Sequence, residues 1–364
     1  VDYGLTDEVR NLRGRMRRFI DEEVLPREAE LLDREGDGRA ILEDLKRSAK
    51  AQDLWALGHP EEIGGGGLAF MPFVYLNEII GRSEFGQLAV GSVSMQDSIM
   101  LHLYASPQQR ERWLQPLVAG TIYPSVGLTE PEVAGSDPTL MQTTARLEGD
   151  EWVINGHKWF TSGANRAAFT TVFCKTDPEA PRHLQFSSII VPTDTPGYQI
   201  VRVIPVMGGQ HGSHCEVRLN DLRVPHDNLL GPRGKGFVIA QQRLGPGRIF
   251  HCMRWLGQAQ RAFELMCQRA NSRFAHGSLL AEKGEIQRYV AESAAQIQAC
   301  RLMTLDAARV MDGGGEARVE ISLIKFYGAQ MLHDVIDRAI QVHGALGLTA
   351  DTPLERMYRD ARGG

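Results

Sequence analysis

The spacing of apolar positions changes twice along the chain. Val9, Leu12, Met16, Ile20 and Val24 recur every three or four residues between the Thr6-Asp7-Glu8 start signal and Pro26, which predicts an amphipathic helix. Ile41, Leu42, Leu45 and Ala49 repeat the spacing, the glycine run at 64–67 breaks it, and Phe73, Leu76, Ile79 and Ile80 resume it. Further helices are expected over 95–104 and 107–117. From residue 121 short β-branched and aromatic runs take over, at 152–154, 169–174, 187–191, 199–204 and 215–219. Asn155-Gly156 predicts a hairpin turn between Val153-Ile154 and Lys158-Trp159, because a type I′ turn needs positive φ at both central residues. From Phe237 the helical period returns, with Ile249, Cys252, Leu256, Ala259, Phe263, Met266 and Ala270 on one stripe. A second helix over 286–311 stops at the glycines of 313–315, and a third covers 319–344. The expected order is a helical domain at 1–120, an all-β domain at 121–232 and a helical bundle at 233–364, the last incomplete at its C-terminus.

Composition narrows the class. With 364 residues, 43% hydrophobic and 23% charged, the chain can bury a large core in two or three structural units, and disorder, collagen and coiled-coil rods are excluded. A net charge of −5 with interspersed signs speaks against nucleic acid or a polybasic membrane face as partner. The five cysteines (Cys174, Cys215, Cys252, Cys267, Cys300) have neither disulfide-framework nor zinc-site spacing, which points to a reducing compartment. No run of 18 apolar residues occurs, so no integral membrane segment is expected.

Three stretches could carry chemistry. In Leu128-Thr129-Glu130-Pro131-Glu132, Thr129 reads as a helix N-cap with Glu132 at the capping-box position, and the same N–H groups and hydroxyls, with Ser136 beyond, could bind a polar ring edge or an anion. In Lys158-Trp159-Phe160-Thr161-Ser162, period two turns one aromatic inward and leaves the other beside a hydroxyl, an arrangement that suits a flat heteroaromatic cofactor. Gly245-Pro246-Gly247-Arg248 interrupts a helical pattern and makes Arg248 the first cation of the next helix. Arg273 and Gln341 are polar positions on bundle helices that need partners where buried. His276 and His343 have no metal spacing and read as exposed or satisfied histidines.

Taken in order, these stretches resemble the acyl-CoA dehydrogenase family over essentially the whole chain. The matching segments are Pro60-Glu61-Glu62-Ile63-Gly64-Gly65, Gln108-Gln109-Arg110-Glu111-Arg112-Trp113-Leu114, Thr129-Glu130-Pro131 with Gly135-Ser136-Asp137, Asn155-Gly156-His157-Lys158, and Asp221-Leu222-Arg223-Val224-Pro225. Arg243-Leu244-Gly245-Pro246-Gly247-Arg248-Ile249 with His251-Cys252-Met253-Arg254 is most similar to the branch of family members 10 and 11 and their bacterial relatives. The resemblance implies an α+β fold: an N-terminal helical domain, a central β-barrel and a C-terminal four-helix bundle. It further implies FAD, a homodimer or homotetramer, an acyl-CoA substrate and an electron-transfer flavoprotein as partner.

By position, the resemblance assigns Leu128, Thr129, Ser136, Phe160, Thr161 and Ser162 to the flavin, with Phe160 on the isoalloxazine and Ser162 near N5. Ser136 also faces the CoA ester, Arg248 steadies the CoA moiety, and Arg273, Gln341 and Gly344 hold the neighbouring subunit's FAD. Two departures stand out: Gly245 replaces an Asp three residues before the CoA-contacting Arg, and Ala275-His276-Gly277 follows Phe274 on the FAD-binding segment.

The implied reaction is α,β-dehydrogenation of an acyl-CoA thioester, in a cytoplasmic setting for a bacterial chain and a mitochondrial or peroxisomal one for a eukaryotic chain. An acyl-CoA oxidase using dioxygen, or a non-catalytic flavin-fold scaffold, are the alternatives. The family's catalytic carboxylate lies at one of two places, and one of them is Gly247 here. Glu355 and Asp360 sit in charged runs that read as helix-face pairs, so the base is expected beyond Gly364.

Overall fold

The computed structural model describes residues 5–32, 37–93, 95–208 and 214–364, apart from the side chains of 243–245. It divides into two compact units, one of Val1–Gly58, Gly66–Ser92 and Gly245–Gly364, the other of His59–Gly65 and Val93–Leu244. Among the described residues no helix is long and apolar enough to cross a membrane.

The first unit is helical and brings the two ends of the sequence together. Its first helix, Asp7–Arg18, is capped as expected by Thr6, whose hydroxyl accepts the Val9 N–H at 3.3 Å. Val9, Met16, Ile20 and Val24 are all buried. Helices Gly38–Ala51 and Phe70–Ile80 follow, then Gly284–Asp312, Arg318–His343 and Leu354–Ala361, with the later part of Gly236–Ser272. That last helix runs unbroken through Pro246, where the sequence predicted an interruption. Proline removes one N–H from a 37-residue helix, and the glycines on either side carry no Cβ to crowd the turn, so the remaining bonds carry the helix through.

Backbone meets backbone where Phe70–Ile80 crosses Gly236–Ser272. A Cβ on Gly257 would lie 2.1 Å from the Glu78 carbonyl oxygen, and one on Gly81 2.3 Å from the Arg254 Cα. Ion pairs reinforce the crossing: Glu28 accepts from Arg261 at 2.9 Å, Arg356 at 3.1 Å and Ser83 at 2.6 Å, and Arg82 bridges Asp21 at 2.9 Å and Glu264 at 2.7 Å.

The second unit contains an eight-stranded sheet: β1 (Pro124–Gly127), β2 (Thr144–Glu148), β3 (Glu151–Ser162), β4 (Phe169–Lys175), β5 (Phe186–Pro192), β6 (Tyr198–Val203), β7 (His214–Pro225) and β8 (Leu229–Leu230). The order is β6-β7-β3-β2-β4-β5-β8, with β1 parallel to β4. Trp152, Ile154, Val172, Cys174, Ile189, Val191, Val217 and Leu222 share one buried cluster, so the sheet folds over a common core.

Two expectations change here. The β-barrel is an open path among the described residues, because β6 and β8 do not pair and β8, two residues long, cannot supply the continuous ladder that closure needs. The hairpin turn lies at Gly149-Asp150, between the paired Glu148 and Glu151, and Asn155-Gly156 falls inside β3. Asn155 is used sideways instead: its amide donates to the Asp221 carboxylate at 2.9 Å and accepts the Asp221 N–H at 2.8 Å across a bulge in β7. Gly156 is needed because a Cβ there would come within 2.2 Å of the Thr143 hydroxyl.

The crossing at Gly257 gives a direct test. Gly257→Ala is expected to lower the stability of the helical unit by about 1 to 3 kcal/mol through overpacking. Denaturant unfolding followed by circular dichroism measures this, and an unchanged midpoint would contradict so close a backbone approach.

Candidate functional site

In the sheet-bearing unit the candidate residues are arranged around β3. Lys158 is 1% exposed, and its ammonium donates to Glu130 Oε1 at 2.8 Å and to the Leu128 carbonyl at 3.0 Å. Glu130, equally enclosed, accepts the N–H groups of Gln142 (2.6 Å) and Thr143 (2.9 Å). Burial alone would raise the Glu130 carboxyl, but the Lys158 charge and these donors outweigh it and hold it below the usual carboxylate range. The Trp159 N–H donates to the Thr129 carbonyl at 2.8 Å. Residues 128–130 are thereby fastened to β3, with Leu128 and Thr129 half-buried.

This fastening overturns the reading of Thr129 as a helix cap. No helix starts there: turns follow, and the next regular element is the 3-10 turn Pro138–Leu140, capped by Asp137 through the Thr139 N–H at 3.2 Å. Drawing the Glu130 carboxylate inward commits the segment to the sheet rather than to a helical first turn. Ser136 is exposed, next to Gly135, whose Cβ position lies 3.1 Å from the Thr129 methyl. Glu132 reaches His157 at 2.6 Å, and His157 also faces Glu216 at 3.1 Å.

A second bulge follows Lys158, where Trp159 and Phe160 together oppose the single residue Glu216 of β7. Its geometry breaks the period of two. Lys158 and Thr161 take the inward positions, so neither aromatic is core as expected: Trp159 is half-buried and Phe160 is 42% exposed with φ +53°. The Phe160 ring lies 5.1 Å from Trp159 and 5.3 Å from His214, centroid to centroid. Ser162 is exposed and bonds His214 Nδ1 at 2.8 Å, and burial lowers the His214 pKa, favouring neutral imidazole. The Thr161 hydroxyl is buried without a hydrogen-bond partner among the described residues.

The helical unit holds the remaining candidates on separate elements. Arg248 is exposed and has no carboxylate partner among the described residues. Arg273 is exposed at the end of Gly236–Ser272, just before a small ribbon in which Phe274–Ala275 pairs with Ser278–Leu279. Gln341 and Gly344 are exposed at the end of Arg318–His343, while His343 is buried with Nδ1 donating to the Ala339 carbonyl at 2.8 Å. No hydrogen bond among the described residues joins Arg248, Arg273 and Gln341. Glu355 pairs with Arg359 at 2.8 Å, as its charged run suggested. Asp360 is half-buried, and burial pushes its carboxyl above the ordinary range against the pull of Arg356 and Arg359.

Glu130, Lys158 and His214 are the residues that reading the sequence for function passed over. Lys158 gave a signal: it shares strand parity with the buried Trp152 and Ile154, and a lysine at an inward position demands an anion. His214 gave none, since its role depends on the register that sets it opposite Ser162.

Sequence profiles cover the chain in three pieces, described as acyl-CoA dehydrogenase N-terminal domain (residues 6–121), middle domain (125–222) and C-terminal domain (234–364). The chain is 43% identical over 374 residues to "Probable acyl-CoA dehydrogenase FadE2" of Mycobacterium tuberculosis (strain ATCC 25618 / H37Rv), covering 98% of this chain and 91% of that one. It is 40% identical to mouse acyl-CoA dehydrogenase family member 10 over 99% of its own length, but spans only 35% of that protein. A solved structure described as "Structure of a putative acyl-CoA dehydrogenase from Mycobacterium abscessus" superposes with a TM-score of 0.93 at 37% identity, over 99% of this chain and 94% of the other. With its helical, sheet and helical segments in that order, the chain belongs to the acyl-CoA dehydrogenase family of oxidoreductases.

Proposed function

We propose that the protein catalyses FAD-dependent α,β-dehydrogenation of an acyl-CoA thioester to the trans-2-enoyl-CoA, with the electrons passed to an electron-transfer flavoprotein. The observation that carries the reading is the β3 bulge, which exposes the Phe160 ring beside the Ser162 hydroxyl and leaves the buried Thr161 hydroxyl unpartnered among the described residues. Such a surface fits a flat ring system with polar edges: an aromatic face for stacking, and hydroxyls for ring nitrogens and oxygens. Bound FAD would supply the two-electron acceptor for the hydride that leaves the β carbon.

In this reading Leu128 and Thr129 hold the pyrimidine edge, Phe160 packs on the ring system, Thr161 and Ser162 hydrogen-bond its polar rim, and Ser136 contacts the flavin and faces the ester. Arg248 holds part of the CoA moiety, and Arg273, Gln341 and Gly344 serve the FAD of a neighbouring subunit in a homodimer or homotetramer. The division at 1–120, 121–232 and 233–364, a four-helix bundle in the last part, and a cytoplasmic location in a bacterium belong to the same proposal. A carboxylate removes the α proton. Gly247 cannot do so, and Glu355 is engaged by Arg359; the proposed base is an Asp or Glu within about ten residues after Gly364, with Asp360 the alternative within the chain.

Three outcomes test this. The purified protein should carry or take up FAD, and anaerobic addition of acyl-CoAs of graded chain length should bleach the flavin band; a folded protein that binds no FAD refutes the reading. Arg248→Ala should cost on the order of 1 to 3 kcal/mol in kcat/KM, mainly through KM, if a charged hydrogen bond to CoA is lost. Unchanged kinetics would make Arg248 a plain surface residue. Finally, a gene product extending past Gly364 should turn over substrate where residues 1–364 bind FAD without turnover. Equal activity of the two would return the search for the base to Asp360 and the other carboxylates within the chain.

A further inference from the structure

We infer that Lys158 and Glu130 are positioning residues of the candidate site, an ion pair that sets where residues 128–129 and the β3 bulge present themselves to the cofactor. The inference rests on the FAD reading above. One ammonium serves two ends of the same short segment, donating to the Leu128 carbonyl at 3.0 Å and to the Glu130 carboxylate at 2.8 Å. The next donor along β3, the Trp159 N–H, takes the carbonyl between them, that of Thr129, at 2.8 Å. Three successive acceptors on the segment are therefore matched to two successive donors on the strand, and the bulge that exposes Phe160 begins at the residue that supplies the second donor.

The anchor at the far side is equally fixed, because Glu130 also accepts the N–H groups of Gln142 and Thr143. Two apolar side chains of similar volume could fill this space, and such replacements of buried ion pairs are often neutral or stabilising. An apolar pair, however, makes no hydrogen bond to the Leu128 carbonyl. What only the charged pair supplies is direction: it fixes the plane of the peptide after Leu128 and hence the aim of the Thr129 N–H.

The test uses the full chain and two variants, K158M/E130Q, which removes both charges, and Glu130→Gln, which keeps one of the two acceptor oxygens that Gln142 and Thr143 use. Three quantities are read: FAD affinity of the apoprotein by quenching of flavin fluorescence, the shape of the bound flavin's visible band, and Tm. For K158M/E130Q the expected result is a Tm within about 4 °C of the parent's, with FAD affinity reduced on the order of ten- to hundredfold and an altered band, whereas Glu130→Gln, which leaves the buried ammonium without its carboxylate, lowers Tm further with a similar loss of affinity. Parental affinity and band shape in either folded variant overturn the inference, as does a loss of Tm in both variants with parental FAD affinity in the folded fraction. If the parent itself takes up no FAD, the functional reading fails first and this inference with it.

Discussion

A lysine ammonium buried in a β-sheet core is the constraint on which the sheet-bearing unit is organised. Taking two charges out of water costs several kcal/mol for each ion, and mutual attraction repays this only when the remaining hydrogen-bonding capacity is also filled. Lys158 and Glu130 meet that condition with backbone groups: a carbonyl at Leu128 and N–H groups at Gln142 and Thr143. The pair therefore joins three segments, the 128–130 stretch, residues 142–143 just before β2, and β3. The exposed surface, with Thr129, Phe160 and Ser162, is shaped by what lies beneath it.

The helical unit solves a different problem with related means. Its segments come from opposite ends of the sequence and meet at a crossing too close for side chains at Gly81 and Gly257. Such a contact gains dispersion but leaves little room for apolar side chains to set the helices' register. Glu28, two of whose three named partners lie more than 200 residues away, and Arg82, which bridges Asp21 and Glu264, supply that register through directed bonds. Removing Glu28 would take from the buried Arg261 its carboxylate, while Arg356 keeps Glu84 and the acids that bind Arg82 keep Arg17, so these pairs specify the arrangement more than they add to its stability.

Helices were the most legible part of the sequence, because a stripe of apolar residues repeated over about three turns or more has few other solutions: Asp7–Arg18, Met95–Tyr104 and Arg318–His343 lie where the sequence put them. The strands β3 to β7 were legible, whereas β1, β2, β8 and the turns were not. Asn155-Gly156 carries the strongest short hairpin signal in the chain, yet Asn155 bonds Asp221, 66 residues on, a partner that only the folded register provides. The same holds at Thr129, where the capping-box spacing is present and the tertiary pull on Glu130 wins. Exposed polar candidates such as Arg248 and Gln341 were correctly placed on helices, but an exposed side chain leaves no packing record of what it binds. Glu130 and Lys158 were readable in principle, since charge at an inward strand position needs a partner. Their pairing across 28 residues was not, because no local period links them.

β3 carries two irregularities against β7, and their difference separates fold from function. At the first, the extra residue belongs to β7, and Asp221, at φ +42°, is repaid by two reciprocal bonds with the Asn155 amide. At the second the extra residue belongs to β3, and it is a phenylalanine that takes φ +53°. Aspartate tolerates that region of backbone space, whereas a bulky aromatic there stores roughly 1 to 3 kcal/mol of strain. No reciprocal hydrogen bonds offset it as they do at Asp221: the ring touches Trp159 and His214 but stays 42% exposed, and the neighbouring Thr161 hydroxyl is buried without a partner among the described residues. A fold that can neutralise one bulge with a single amide has the means to neutralise the other. The strain, the exposed ring and the orphaned hydroxyl at adjacent residues are three features that the proposed flavin site would account for together.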